Sequence, residues 1–159
     1  MAWVSAIGGA RWGVVVGGAG GYVTGSPDLI ELLLPRSRPG LFSNALPATV
    51  ACSAGKAIDL LMQEESHINR LRHNISALRV GLTDLGFELG DSPTAILPIH
   101  IGDEAEAIRA SERLLEMGVW VVAFGFPVVP KGKARLRVQV SAALEPEHIE
   151  RVLDAFSKL

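Results

Sequence analysis

The hydrophobic rhythm of the chain changes twice. Residues 1–26 are apolar and glycine-rich, with no helical or strand period until "GGYVTG", Gly20 to Gly25. That run predicts one short buried strand closed by a turn at Gly25-Ser26-Pro27. "SPDLIELLLP" then predicts a helix with Ser26 as its cap, Pro27 in the first helical position and Pro35 as its stop. "RSRPGLFSNALP" has no period and predicts a loop. From Pro47 to Leu85 apolar residues recur at helical spacing (Leu60, Leu61, Ile68, Leu71, Ile75, Leu78, Leu82), with a break near Glu64-Ser66 and an end at Gly86.

The second change follows residue 95. "AILPIHIGD" alternates as a strand. "DEAEAIRASERLLEMG" is amphipathic, started by Asp103 and ended by Gly118. "VWVVAFGF" is β-branched and aromatic, as strands are. "ARLRVQVSA" puts Leu136, Val138 and Val140 on one face and Arg135, Arg137 and Gln139 on the other. "EPEHIERVLDAFSKL" predicts a closing helix with Pro146 near its start. The order strand, helix, strand, strand, helix predicts a small sheet covered by helices.

Composition narrows this picture. The chain has 159 residues, 48% of them hydrophobic, which suits one packed domain and excludes a disordered segment. A net charge of −2 argues against binding nucleic acid or an anionic membrane by bulk charge. The only cysteine, Cys52, allows no internal disulfide and no CxxC metal site, and its ordinary reading is a small buried apolar residue in a reducing compartment. The apolar N-terminus lacks the basic start of an export signal, and no stretch reaches the ~20 apolar residues of a membrane helix. A soluble, cytoplasmic protein is expected.

Three stretches could carry chemistry. "GGAGGYVTG" lets a ligand or a neighbouring strand approach the backbone, and equally suits a tight turn; it is neither a P-loop nor GxGxxG. "RSRPGLFSNALP" offers the Ser43 hydroxyl and the Asn44 amide before a helix start, suited to a phosphate or to plain capping. "FPVVPKGKARLRVQVSA" gathers Lys131, Lys133, Arg135 and Arg137 near one strand, either as a carboxylate clamp or as a solvated basic edge. The histidines at 67, 73, 100 and 148 have no metal-ligand spacing, and no GxSxG elbow is present.

Read together and in order, "GGAGGYVTG", "RSRPGLFSNALP" and "FGFPVVPKGKARLRVQVSAA" resemble the C-terminal part of the α-oxoamine synthases. These are pyridoxal-phosphate enzymes of the fold-type I aminotransferase superfamily. Within them "SRPxLFSN" and "PVVPKGKARLRVQ" look most like the glycine C-acetyltransferase (2-amino-3-ketobutyrate CoA ligase) group. The resemblance spans about residues 13 to 159. It implies an α/β fold: the small C-terminal domain of fold-type I enzymes, a long helix plus a small, mostly antiparallel sheet covered by helices. Residues 46–159 would form that domain. Residues 1–45 would be a remnant of the large cofactor domain, with 1–12 outside the family's pattern.

The same resemblance implies pyridoxal phosphate as cofactor, glycine and acetyl-CoA as substrates, and a homodimer or a homologous complementing chain as partner. Phe42 and Ser43 match a pair reaching the neighbouring subunit's site, with the serine hydroxyl on the cofactor phosphate. Arg137 matches the arginine that holds the amino acid's carboxylate. Val14, in "GVVVGGA", falls where the family carries its Schiff-base lysine in a pattern like "GKALGGA". Valine has no amine, so no covalent attachment is expected and the chain alone is expected to be inactive. The alternatives are a non-catalytic module pairing with a homologous chain, another member such as an 8-amino-7-oxononanoate synthase-like enzyme, or a gene remnant. "SAALEP" departs from the family's "SAxHT" at Leu144 and Glu145, which puts the contacts at that strand end in question.

Overall fold

A computed structural model describes residues 5–7, 10–14, 21–42 and 44–159. The chain divides into two compact units, Met1–Glu64 and Glu65–Leu159. The first unit thus includes the helical segment that ends at Gln63.

The first unit opens with three antiparallel strands, β1 (Ser5–Ile7), β2 (Ala10–Val14) and β3 (Gly21–Thr24), in the order β1-β2-β3. Sequence reading anticipated β3 but not the two strands before it. The α1 helix (Pro27–Arg36) starts as expected: the Ser26 hydroxyl accepts from the Leu29 N–H at 3.4 Å, and Pro27 occupies the first turn. Pro35 does not stop it. The ring removes one N–H from the last turn, but the Ser37 N–H still closes on the Leu33 carbonyl at 2.8 Å, so the helix ends one residue later.

"RSRPGLF" is not the loop that Pro39 and Gly40 suggest, since Arg38–Phe42 form a short helix, α2. The α3 helix (Ala48–Gln63) is capped by Pro47, which offers no side-chain oxygen. None of the α3 residues is buried. Cys52 sits on this helix and is exposed, a correction to the buried position expected of it, because α3 has no core face for it to enter.

The second unit carries the core. The expected helix break is present: α4 runs Ser66–Asp84, and it buries Leu78 and Leu82. It ends where Gly86 turns to a φ of +89°, so that the Phe87 N–H reaches back to the Leu82 carbonyl at 3.1 Å. Phe87 then meets Phe156 edge to face, centroids 5.3 Å apart.

Strands β4 (Ile96–Gly102), β5 (Val122–Phe124) and β6 (Ala134–Gln139) form an antiparallel sheet in the order β4-β6-β5. The β5 strand is shorter than "VWVVAFGF" suggested. Helices α5 (Glu104–Glu116) and α6 (Pro146–Ser157) complete the unit, and the Asp103 carboxylate caps α5 by accepting from the Glu106 N–H at 2.9 Å. Paired positions share a face in an antiparallel sheet. Leu97 opposite Val138 and Ile99 opposite Leu136 therefore make one continuous apolar surface. That surface joins Leu78, Leu82, Leu114, Ile149 and Phe156 in a single core.

A polar clamp fixes the approach to α6. Asn74, only 5% exposed, donates through its amide nitrogen to the Ser141 and Leu144 carbonyls at 3.0 and 2.9 Å. Beside it the Arg70 guanidinium donates to the Ala142 carbonyl and pairs with Glu145, itself the α6 cap. Removing the Asn74 amide leaves two loop carbonyls without their donor. Asn74→Ala is expected to cost about 1–3 kcal/mol, measured by urea unfolding. An unchanged midpoint would show that the clamp contributes nothing to stability.

Candidate functional site

The site is built on β6, the central strand. Since Leu136 and Val138 face the core, Arg135, Arg137 and Gln139 must face the other way. The register places Arg137 between Pro98 on β4 and Val122 on β5, and Arg135 between His100 and Phe124. Both arginines are half-buried. The Arg137 guanidinium carbon lies 5.6 Å from the centre of the Phe124 ring, within cation–π range. The Arg135 Nε is buried and has no hydrogen-bond partner among the described residues.

Neighbouring glycines keep this face shallow. The segment after α4 runs beside β4, with the Gly90 N–H on the Pro98 carbonyl and the His100 N–H on the Glu88 carbonyl. A side chain at Gly90 would press on Pro98 and His100, its Cβ 2.8 Å from the proline ring. At the other edge, a Cβ on Gly125 would meet the Glu104 carboxylate. The result is an arginine fork held against an aromatic ring, with a second cation two residues away: an arrangement suited to a planar anion such as a carboxylate.

The other expected site residues lie in the first unit. Phe42 ends α2 and is 85% exposed. Ser43 lies outside the described residues, as does the glycine-bearing stretch 15–20. Val14 is the last residue of β2, paired in register with Gly21. None of the chain's lysines falls before Lys56. Lys56, Lys131, Lys133 and Lys158 are all exposed, and Lys158 pairs with Asp154. The residues present therefore fit a carboxylate, but they do not supply a buried amine for covalent attachment of a cofactor.

Sequence reading placed Arg135 beside Arg137 but missed Phe124 and His100 as neighbours of this face. The alternation of "ARLRVQ" gives the face, but the partners depend on strand register, which no local motif encodes. Among the described residues no three metal-ligating side chains cluster. His148 instead serves α6, its Nδ1 accepting from the Glu145 N–H at 3.0 Å. The change to Leu144 and Glu145 is accommodated, with Leu144 packed on the core and Glu145 at the cap.

Known proteins resemble this chain over most of its length. The aminotransferase class I and II family matches residues 15–156, beginning just after Val14. An 8-amino-7-oxononanoate synthase from Symbiobacterium thermophilum is 46% identical over 91% of this chain and 37% of its own length. The human mitochondrial 2-amino-3-ketobutyrate coenzyme A ligase is 42% identical over 91% of this chain and 35% of its own. This chain thus spans just over a third of the length of these relatives. Among solved structures, the Sphingomonas wittichii serine palmitoyltransferase superposes with a TM-score of 0.79 at 30% identity, covering 89% of this chain and 36% of that one.

The Phe124–Arg137 contact makes a direct prediction. A double-mutant cycle of Phe124→Leu and Arg137→Met is expected to return a coupling of about 0.5–1 kcal/mol in thermal unfolding. A coupling of zero would mean the ring does not hold the guanidinium. The fold, the motifs in their order and these relatives, all of them α-oxoamine synthases, agree that the chain belongs to the aminotransferase class I and II family, with its fold-type I architecture.

Proposed function

We propose that this chain is the C-terminal portion of an α-oxoamine synthase of the glycine C-acetyltransferase type. The whole enzyme would condense glycine with acetyl-CoA to 2-amino-3-ketobutyrate in the threonine and glycine metabolism of the cytoplasm. The observation that carries this reading is Arg137, set on the central strand and backed by Phe124. Its role would be to hold the amino acid's carboxylate in a bidentate grip, which fixes the amino acid's orientation. Pyridoxal phosphate, the cofactor that the resemblance implies, acts as an electron sink for the amino acid's α-carbon. Phe42 and Ser43 would reach towards it in a partner's site, and Val14 would leave it without covalent attachment to this chain.

The second reading, another α-oxoamine synthase such as an 8-amino-7-oxononanoate synthase, rests on the 46% identity to one of these. A third role follows from the first unit's surface. Leu41, Phe42, Ile58 and Met62 are exposed, and α3 buries none of its residues. Such a surface suits pairing with a homologous chain, to which this one would lend residues without doing chemistry alone.

Borohydride reduction of the purified protein mixed with pyridoxal phosphate tests the proposal. The expected result is no stoichiometric label, or label scattered over the four exposed lysines. A clean label on one lysine would reopen this chain as a self-sufficient enzyme. Val14→Lys is expected not to restore turnover of glycine with acetyl-CoA, because one amine does not rebuild a site; turnover by that variant would overturn this. Mixing with a full-length homologue should change the partner's mass or activity, and no change would remove the pairing role.

A further inference from the structure

A cavity of about 310 Å³ lies within the second unit, beyond the end of β6 and between the α5–β5 turn and α6. It is distinct from the Arg137 face, for neither Arg137 nor Phe124 lines it. Its floor is apolar, including Leu78, Val138 and Val152. Trp120, 82% exposed, forms part of its wall. The volume equals roughly ten waters at ~30 Å³ each, which places it at the small end of ligand pockets.

The polar lining is biased towards donors. No carboxylate and no lysine lines the cavity. Arg151 does, and no ion pair or hydrogen bond engages its guanidinium among the described residues. His148 also lines it. Because the His148 Nδ1 accepts from the Glu145 N–H, the neutral ring carries its proton on Nε2, so its remaining nitrogen is a donor. Gly118 makes the room: a Cβ there would overlap the Arg151 guanidinium.

We infer that this cavity binds a small organic anion, a monocarboxylate with an apolar body of about ten heavy atoms or fewer. Its carboxylate meets Arg151 and the His148 Nε2–H, and its body lies on Leu78, Val138 and Val152. A cation of the same length is refused, because it would place its charge beside an unpaired guanidinium. Charge-assisted hydrogen bonds to the carboxylate supply the discrimination.

Hexanoate, with hexylamine as the matched cation, tests this on the full chain by amide chemical-shift titration. Hexanoate should give a saturable shift confined to the surroundings of Leu78 and to residues 118–121, 138–139 and 143–152. Hexylamine should bind at least roughly tenfold more weakly, and Arg151→Gln should weaken hexanoate by a similar factor while strengthening the binding of hexylamine. Arg151 is exposed, so that variant tests the ligand contact rather than folding. Equal binding of the two probes, unaltered hexanoate binding by Arg151→Gln, shifts that map elsewhere or the lack of any saturable shift would each overturn the inference.

Discussion

One-sided burial of β6 governs the second unit. Leu136 and Val138 complete an apolar surface with Leu97 and Ile99 across the strand pair, and α4, α5 and α6 cover it. Strand side chains alternate, so fixing these two residues inward fixes Arg135 and Arg137 outward. A slip of one residue would bury two guanidinium groups and expose the leucine and valine. Desolvating unpaired charge costs several kcal/mol per ion in real proteins, so that register is closed to the chain. The placement of the arginine fork is thus a consequence of core formation and needs no separate device.

The entry to α6 shows how the chain absorbs a departure from its family's pattern. The α-oxoamine synthase resemblance implies His and Thr at two positions where this chain has Leu144 and Glu145. Leu144 gains apolar contact, and its carbonyl is bound by the buried Asn74. Glu145 takes over the cap, and its carboxylate also meets Arg70 from α4. That ion pair is exposed and contributes little on its own. The Asn74 amide is the stronger anchor, because it is nearly excluded from water and serves two carbonyls at once.

Much of the second unit is legible in the sequence, because its signals are local. Asp103 caps, Gly86 and Gly118 stop helices, and "ARLRVQ" alternates, each by chemistry within a few residues. The first unit is less legible. The β1 and β2 strands lie in glycine-rich sequence with no period of two, and their pairing depends on each other and on β3. Short α2 was hidden by Pro39 and Gly40, residues that signal a loop when read alone. Arg137 was readable as a candidate from its strand, whereas Phe124 was not, because it joins the site through a register set by the sheet.

Gly118 links the two levels. Its φ of +80° ends α5 and lets the Val119 N–H bond to the Leu114 carbonyl at 2.8 Å, which any sequence reader assigns to helix capping. Capping alone would tolerate asparagine, the usual second choice in that conformation. The structure adds a second demand, because any Cβ at this position would displace the Arg151 guanidinium beside the cavity. The residue that terminates the helix therefore also leaves room at the cavity wall for a guanidinium, and the stop signal in "LLEMG" bears on the placement of a side chain some thirty residues away in the chain.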